Sequence, residues 1–133
     1  MENTTSRFQE AEALFNEKRY TEALHIFKEL ADGGDSVAQY YAAILYSGDY
    51  DANLKNRSEA YRYSKLSADG GYSYGVYCTG YNLMNGIGCK KDSYIGAQYL
   101  KKAIDMGVVD ANNNYGITLL TGDGVNKSIS TSI

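Results

Sequence analysis

The sequence repeats itself at a fixed interval, and this feature constrains the fold more than any other. Ala23, Ala60 and Ala97 are separated by steps of 37 residues, and the same step separates the small residues Ala38 and Gly75. A period of this length is typical of solenoid proteins, in which one supersecondary unit cannot bury its apolar face alone and stacks against its neighbours. The chain is therefore predicted to be a stack of about three and a half repeats.

Each repeat is predicted to hold two helices, because small and apolar residues recur at helical spacing in both of its halves. The first helices (A) are predicted at about residues 36–47, 73–85 and 110–121, with a leading one at 6–18. The second helices (B) are predicted at about residues 21–32, 58–69 and 92–106. The repeat units then span residues 6–34, 36–71, 73–108 and, incompletely, 109–125, with a tail at 126–133. An all-α fold with one domain over residues 1–133 follows.

Cap residues are predicted at both ends of these helices. Ser6 with Gln9 and Ser36 with Gln39 have the spacing of a capping box, in which the serine and the glutamine side chains both accept hydrogen bonds from backbone N–H groups at the start of the helix. Thr21, Ser58 and Asp92 can accept such a hydrogen bond at the starts of the B helices. Glycines that can turn left-handed at little cost stand at the predicted ends of the B helices: Gly33, Gly70 and Gly107. The chain has 14 glycines and no proline, so glycine is expected to end its helices.

Composition excludes several classes of protein. The 133 residues are 44% hydrophobic but contain no apolar run long enough to cross a bilayer, so a soluble protein without a membrane partner is expected. With 13 Lys and Arg against 16 Asp and Glu, the net charge of -3 provides no basic surface for nucleic acid. The first ten residues lack the apolar core of a secretory signal, which predicts a cytoplasmic location.

No catalytic residue, metal site or cofactor is predicted. The two cysteines, Cys78 and Cys89, and the one histidine, His25, are too few and too scattered to supply the four ligands of a structural zinc site. Both cysteines are therefore expected to be reduced thiols. His25 has no serine or cysteine at a spacing that would bring a nucleophile near it, so a structural histidine is the favoured interpretation.

A ladder of outward-facing residues on the A helices is predicted to bind a partner. At about 100° per residue, Tyr40, Tyr41 and Ile44 point away from the packing side of their helix. The equivalent positions one and two repeats later complete the predicted ladder: Tyr77, Tyr81, Met84, Asn113, Asn114 and Ile117. Tyrosine combines a large contact area with a polar tip and is enriched at interfaces. The alternative is that these tyrosines only pack against the A helix of the next repeat.

The repeat also resembles a known family. Small residues, a leucine, a Gly-x-Gly loop, an aspartate, alanines and a final glycine follow one another in one unit: Gly75, Thr79, Gly80, Leu83, Gly86, Gly88, Asp92, Ala97, Ala103 and Gly107. This pattern resembles the Sel1-like repeat, a relative of the tetratricopeptide repeat with a longer glycine-rich loop between its helices. Residues 6–34 look closer to a plain tetratricopeptide unit. The resemblance implies a right-handed α/α superhelix whose A helices line a concave side and which binds other proteins as an adaptor or scaffold.

Two classes of function are compatible with these observations. The first is a module that binds a peptide or protein partner on the concave face, and a narrower form of it is an immunity-type protein that neutralises a cognate toxin or effector. The second, less favoured, is a small hydrolase or small-molecule binder. Because no B helix is predicted after Val125, a partner or a second copy of the chain is expected to cover the C-terminal edge, unless the chain is a fragment of a longer array.

Overall fold

The structure is a computed structural model that describes residues 4–108, and this part of the chain is helical apart from its turns and loops. Its α-helices are α1 (Thr4–Asn16), α2 (Tyr20–Asp32), α3 (Ser36–Tyr46), α4 (Arg57–Asp69), α5 (Ser73–Asn85) and α6 (Ser93–Asp105), with a 3₁₀ helix, Ala52–Leu54, between α3 and α4. Each helix packs against the next one along the chain, and α3 also packs against α5. The predicted all-α fold is confirmed, with α1, α3 and α5 as A helices and α2, α4 and α6 as B helices.

The bounds of these six helices lie within two residues of the predicted ones. Among them, no helix is both long and apolar enough to cross a bilayer. The predicted A helix at 110–121, the incomplete unit at 109–125 and the tail at 126–133 lie outside the described residues. Self-association through that C-terminal edge therefore stays a prediction.

Small residues let the helix backbones approach closely. Five alanines, one on each of α1, α2, α3, α4 and α6, are buried: Ala11, Ala23, Ala43, Ala60 and Ala97. Where α5 crosses α6, both backbones carry glycine. A Cβ atom added to Gly80 would lie 3.0 Å from the carbonyl oxygen of Gly96, and one added to Gly96 would lie 3.0 Å from the carbonyl oxygen of Gly80. The two helices can cross at this distance because neither residue carries a side chain.

Aromatic side chains fill the space between the first three helices. The ring of Tyr41 stacks on the fully buried Phe27, with ring centroids 4.4 Å apart. Phe8 and Phe15 of α1 meet the Tyr41 ring edge-on, at centroid distances of 5.9 Å and 5.4 Å. Stacked and edge-on pairs are both favourable arrangements of aromatic rings. This cluster therefore joins α1, α2 and α3 in one core.

Tyr63 of α4 ties the next repeat to this core. It is fully buried, its ring stacks on Tyr46 with centroids 5.9 Å apart, and its hydroxyl donates a hydrogen bond to Oδ1 of Asp32 over 2.7 Å. Burial, together with the hydrogen bond to Asp32, raises the pKa of Tyr63 to about 12. The hydroxyl therefore keeps its proton at neutral pH and stays a donor.

Aspartate and asparagine, not serine, cap α3 and α4. The side chains of Asp35 and Asn56 accept hydrogen bonds from the backbone N–H three residues later, over 2.9 Å and 3.2 Å. The prediction of Ser36 and Ser58 as caps was wrong, because both serines already lie in the first turn and the extended residue that precedes each helix is the one placed to cap it. Asp92 is confirmed as the cap of α6.

Three further predictions about the helix starts were also wrong. Helix α1 begins at Thr4, so Ser6 lies inside it. Arg19 precedes α2 without a capping side-chain hydrogen bond, and Thr21 lies in the first turn. Gln39, predicted to bond back to the start of its own helix, instead donates from Nε2 to a carbonyl oxygen in the last turn of α2, over 3.1 Å. Gln39 thus links two helices instead of closing a capping box.

The left-handed turns after α2 and α4 fall one residue later than predicted. Gly33 and Gly70 keep helical backbone angles, with φ of -82° and -79°, because their N–H groups still bond to the carbonyl four residues earlier. Gly34 and Gly71, with φ of 102° and 88°, make the turn instead. Gly107, with φ of 95°, turns where predicted. In each case glycine supplies the left-handed conformation that other residues rarely adopt.

Replacing Asn56 by alanine is expected to lower the free energy of unfolding by about 1 kcal/mol, because it removes the acceptor at the start of α4. The matched control Ser58→Ala, two residues further along and also exposed, should change it by less than about 0.5 kcal/mol. Urea unfolding followed by circular dichroism measures both variants. Equal losses in the two variants would contradict the assignment of the cap.

The Gly75→Ala variant is expected to be less stable by about 1 to 3 kcal/mol, although alanine is the better helix former. An added Cβ would lie 2.8 Å from the carbonyl carbon of Ser67, where α5 passes α4. Ser67 is buried and its hydroxyl donates to the carbonyl oxygen of Ser36 over 2.7 Å, so it has little room to withdraw. Thermal unfolding measures the loss, with the exposed Gln98→Ala as control. A Tm at or above that of the unmodified chain would refute the overpacking argument.

A candidate partner-binding groove

A groove of about 580 Å³ lies between α3 and α5 and is closed on one side by the loop from α3 to α4. We call it the α3–α5 groove. Its lining comes from α3, α4, α5 and the loops that follow α3 and α5: Tyr40, Ala43, Ile44, Ser47, Asp49, Tyr50, Lys55, Arg57, Ala60, Tyr77, Cys78, Tyr81, Asn82 and Ile87. Because both A helices contribute, the groove spans two consecutive repeats.

The loop after α3 is folded back on itself, and this fixes its side of the groove. Gly48 has a φ of 84°, and an added Cβ there would lie 2.8 Å from Cβ of Lys55. The N–H of Asn56 donates to the carbonyl oxygen of Tyr46 over 2.8 Å, which closes the loop before α4 begins. The aliphatic stem of Lys55 is therefore held against the turn at Gly48.

The loop after α5 is closed by an equivalent hydrogen bond, from the N–H of Asp92 to the carbonyl oxygen of Leu83 over 2.9 Å. Gly86 and Gly88 both take left-handed angles, with φ of 65° and 71°. A Cβ added to Gly88 would lie 2.7 Å from the carbonyl carbon of Arg57, so this loop rests on the first turn of α4. The contact brings Ile87, between the two glycines, to the groove.

Four members of the predicted ladder line the groove: Tyr40, Ile44, Tyr77 and Tyr81. Tyr81 is the most accessible of them, with 42% of its surface exposed, and its ring centroid lies 6.4 Å from that of Tyr77. The ring of Tyr40 also meets Tyr72 edge-on at a centroid distance of 5.5 Å. The structure thus brings these four side chains together, and their role in binding stays a prediction.

The other predicted residues lie elsewhere. Tyr41 stacks on Phe27 of α2 and meets Phe15 of α1, so it packs against the preceding repeat and not against the A helix of the next one. One step along a helix rotates a side chain by about 100°, which turns Tyr41 toward α1 while Tyr40 faces the groove. Met84 packs against the apolar cluster between α5 and α6. The last three members of the predicted ladder, Asn113, Asn114 and Ile117, lie outside the described residues.

Sequence reasoning missed the loop side of the groove. Asp49, Tyr50, Lys55 and Ile87 come from loops, and Arg57 is the first residue of α4. The prediction was built on helical periodicity, which says nothing about where a loop side chain lies. One feature of the sequence pointed to this side of the groove. Two cations, Lys55 and Arg57, stand two residues apart where the B helix after α3 begins.

Burial keeps two groups of the groove protonated, the Tyr40 hydroxyl and the Cys78 thiol. It raises the pKa of the Tyr40 hydroxyl well above its usual value and the pKa of the Cys78 thiol to about 12. A thiol that keeps its proton at neutral pH is a poor nucleophile. Beside it, Nδ2 of Asn82 donates to Oγ of the buried Ser64 over 3.2 Å. The groove therefore presents hydroxyl and amide groups suited to hydrogen bonding.

Within residues 4–108, no group of three or more His, Cys, Asp and Glu side chains is placed to hold a metal ion. Cys78 and Cys89 are free thiols in the structure. His25 lies exposed on α2 and is not part of the groove lining. The absence of catalytic activity stays a prediction.

Several solved structures are similar to this fold, among them the following two. A protective antigen present in uropathogenic Escherichia coli strains, which displays an SLR fold, aligns with 97% of this chain and 29% of its own, with a TM-score of 0.86 and 22% sequence identity. A Sel1 repeat protein from Oxalobacter formigenes aligns with 90% of this chain and 49% of its own, with a TM-score of 0.78 and 24% identity. This chain therefore spans less than half the length of either structure. At these identities the likeness concerns the fold, an α/α superhelix.

Comparison at the level of sequence gives two results. No curated protein matches the chain significantly. The family model of the Sel1 repeat matches residues 36–72, 73–108 and 109–133, which together cover more than half of the chain. The resemblance read from the glycine and alanine pattern is confirmed, and the protein belongs to the Sel1 repeat family.

Proposed function

We propose that this chain is an adaptor or scaffold that binds a peptide or protein partner in the α3–α5 groove. Sel1 repeats are generally protein–protein interaction modules, and this supports the class of function. The observation that carries the proposal is the groove itself, where Tyr40, Tyr50, Tyr77 and Tyr81 meet around about 580 Å³. We assign this groove to the concave side that the family resemblance implies for the A helices.

The side chains of the groove suit the capture of a peptide segment. Tyrosine buries a large area at the cost of ordering only two side-chain torsions, and its hydroxyl can bond to a partner's backbone. Tyr40 is held by ring contacts with its neighbours, which lowers the entropy lost on binding. Asn82 adds an amide next to these rings. The groove thus combines apolar contact with a few polar groups, as binding sites commonly do.

The chemistry of the groove favours binding over catalysis. Cys78 is the one thiol among the described residues of the groove lining, and burial raises its pKa to about 12, so it lacks the thiolate that a nucleophile needs. We therefore propose that the chain is not a hydrolase. The two free cysteines are in keeping with a reducing compartment, and the cytoplasm is the location that we propose.

The Tyr81→Glu variant is expected to lose its partner while keeping its helical content, because a charge at the exposed wall of the groove would have to be desolvated on binding. The matched control is Tyr94→Glu on α6, since Tyr94 is 60% exposed and is not part of the groove lining. The immobilised full chain and both variants are used to capture proteins from a lysate of the source organism, which mass spectrometry then identifies. Circular dichroism checks the fold of each bait.

The expected result is a protein captured by the unmodified chain and by Tyr94→Glu but lost, at least about tenfold, with Tyr81→Glu. Equal capture by all three baits would place the interface outside the groove and would reject the proposal.

A further inference from the structure

Arg57, at the rim of the groove, differs from the other arginines of the described residues. Three of the four arginines form ion pairs with carboxylates: Arg7 with Glu10 and Glu29, Arg19 with Glu17 and Glu22, and Arg62 with Glu59. Arg57 is the fourth, and within residues 4–108 it forms no ion pair. Acidic side chains outnumber basic ones in this protein, 16 to 13, so carboxylates to pair with are not scarce.

Lys55 lies on the same rim and also forms no ion pair within the described residues. The aliphatic part of the Lys55 side chain packs against Gly48, and the backbone of Arg57 packs against the loop at Gly88. Both side chains therefore extend from anchored backbone. Among the described residues that line the groove, Asp49 is the one carboxylate and pairs with neither cation, so these residues carry a formal charge of +1 in a protein of net charge -3.

We propose that the partner presents an acidic side chain, Asp or Glu, to Lys55 and Arg57 while an apolar side chain next to it lies against Tyr77 and Tyr81. This inference rests on the proposed function and names the chemistry of the segment that the groove takes. An Arg beside a Lys can hold a carboxylate through charge-assisted hydrogen bonds, and complementary charge fixes the register of a bound segment.

The same observations disfavour two other occupants. Four tyrosine rings could surround a cation, but the two unpaired cations on the rim would repel a Lys or Arg of the partner. A nucleic acid needs a row of basic contacts along its backbone, and a protein of net charge -3 would repel it. An acidic peptide segment with an apolar side chain complements both the two cations of the rim and the tyrosine rings of the groove.

The test uses a phage-displayed library of random peptides of about twelve residues, selected on the immobilised full chain. The binding of individual selected peptides is then measured by fluorescence anisotropy against four proteins. These are the unmodified chain, Lys55→Glu/Arg57→Glu, the control Lys28→Glu/Lys101→Glu, and Tyr81→Glu. Lys28 and Lys101 are exposed and are not part of the groove lining, so the control makes the same change in net charge.

We expect the selected peptides to carry Asp or Glu next to an apolar residue. Their Kd should rise at least about tenfold with Lys55→Glu/Arg57→Glu and less than about twofold with the control. Raising NaCl from about 50 mM to about 500 mM should weaken binding to the unmodified chain, because the rim is exposed and salt screens it.

The two proposals fail in different ways. Peptides that depend on Tyr81 but are neutral or rich in Lys and Arg would overturn the acidic partner and leave the proposed function standing. Peptides that bind Tyr81→Glu as tightly as the unmodified chain, or the absence of any selected peptide, would count against both.

Discussion

The close approach of neighbouring helix backbones is the contact on which the rest of the structure depends. Gly80 and Gly96 face each other where α5 crosses α6, and Gly75 lies against Ser67 where α5 passes α4. Any side chain at these points would push the helices apart. Because B helices sit so tightly against A helices, α3 and α5 come into contact with each other and form the walls of one groove.

The sequence was sufficient to predict the helices, because small and apolar residues recur at 37-residue steps and at helical spacing within each step. The sequence was less reliable at the helix starts. Asn56 and Ser58 can both cap and stand close together, and only the backbone angles decide which of them does so.

For the groove, the helical period identified Tyr40 and Tyr81 as outward-facing residues but could not show that Tyr40 faces the groove while Tyr41 does not. That distinction depends on α1, whose packing against α3 covers one tyrosine and leaves the other facing the groove.

The loops contribute what the periodic pattern could not reveal. Tyr50, Lys55 and Ile87 reach the groove from segments without regular spacing, and their backbones are fixed by glycines in left-handed conformations and by hydrogen bonds to the preceding helix. The helices therefore supply most of the aromatic surface, while the loops and the first residue of α4 supply the charge and the edge. This division of roles is common in proteins whose scaffold positions recognition residues on loops.

The contact between Gly88 and the backbone of Arg57 has a consequence for how such proteins can diverge. The mouth of the groove is shaped where a loop of one repeat rests on a helix of the previous repeat, whereas the helix crossings lie elsewhere. Insertions or deletions in the loops after α3 and α5 would then alter the width of the mouth while leaving the glycine and alanine contacts at the helix crossings in place. Under the proposed function, changes in loop length alone would alter which partner the groove admits, before any buried residue of the helix crossings changes.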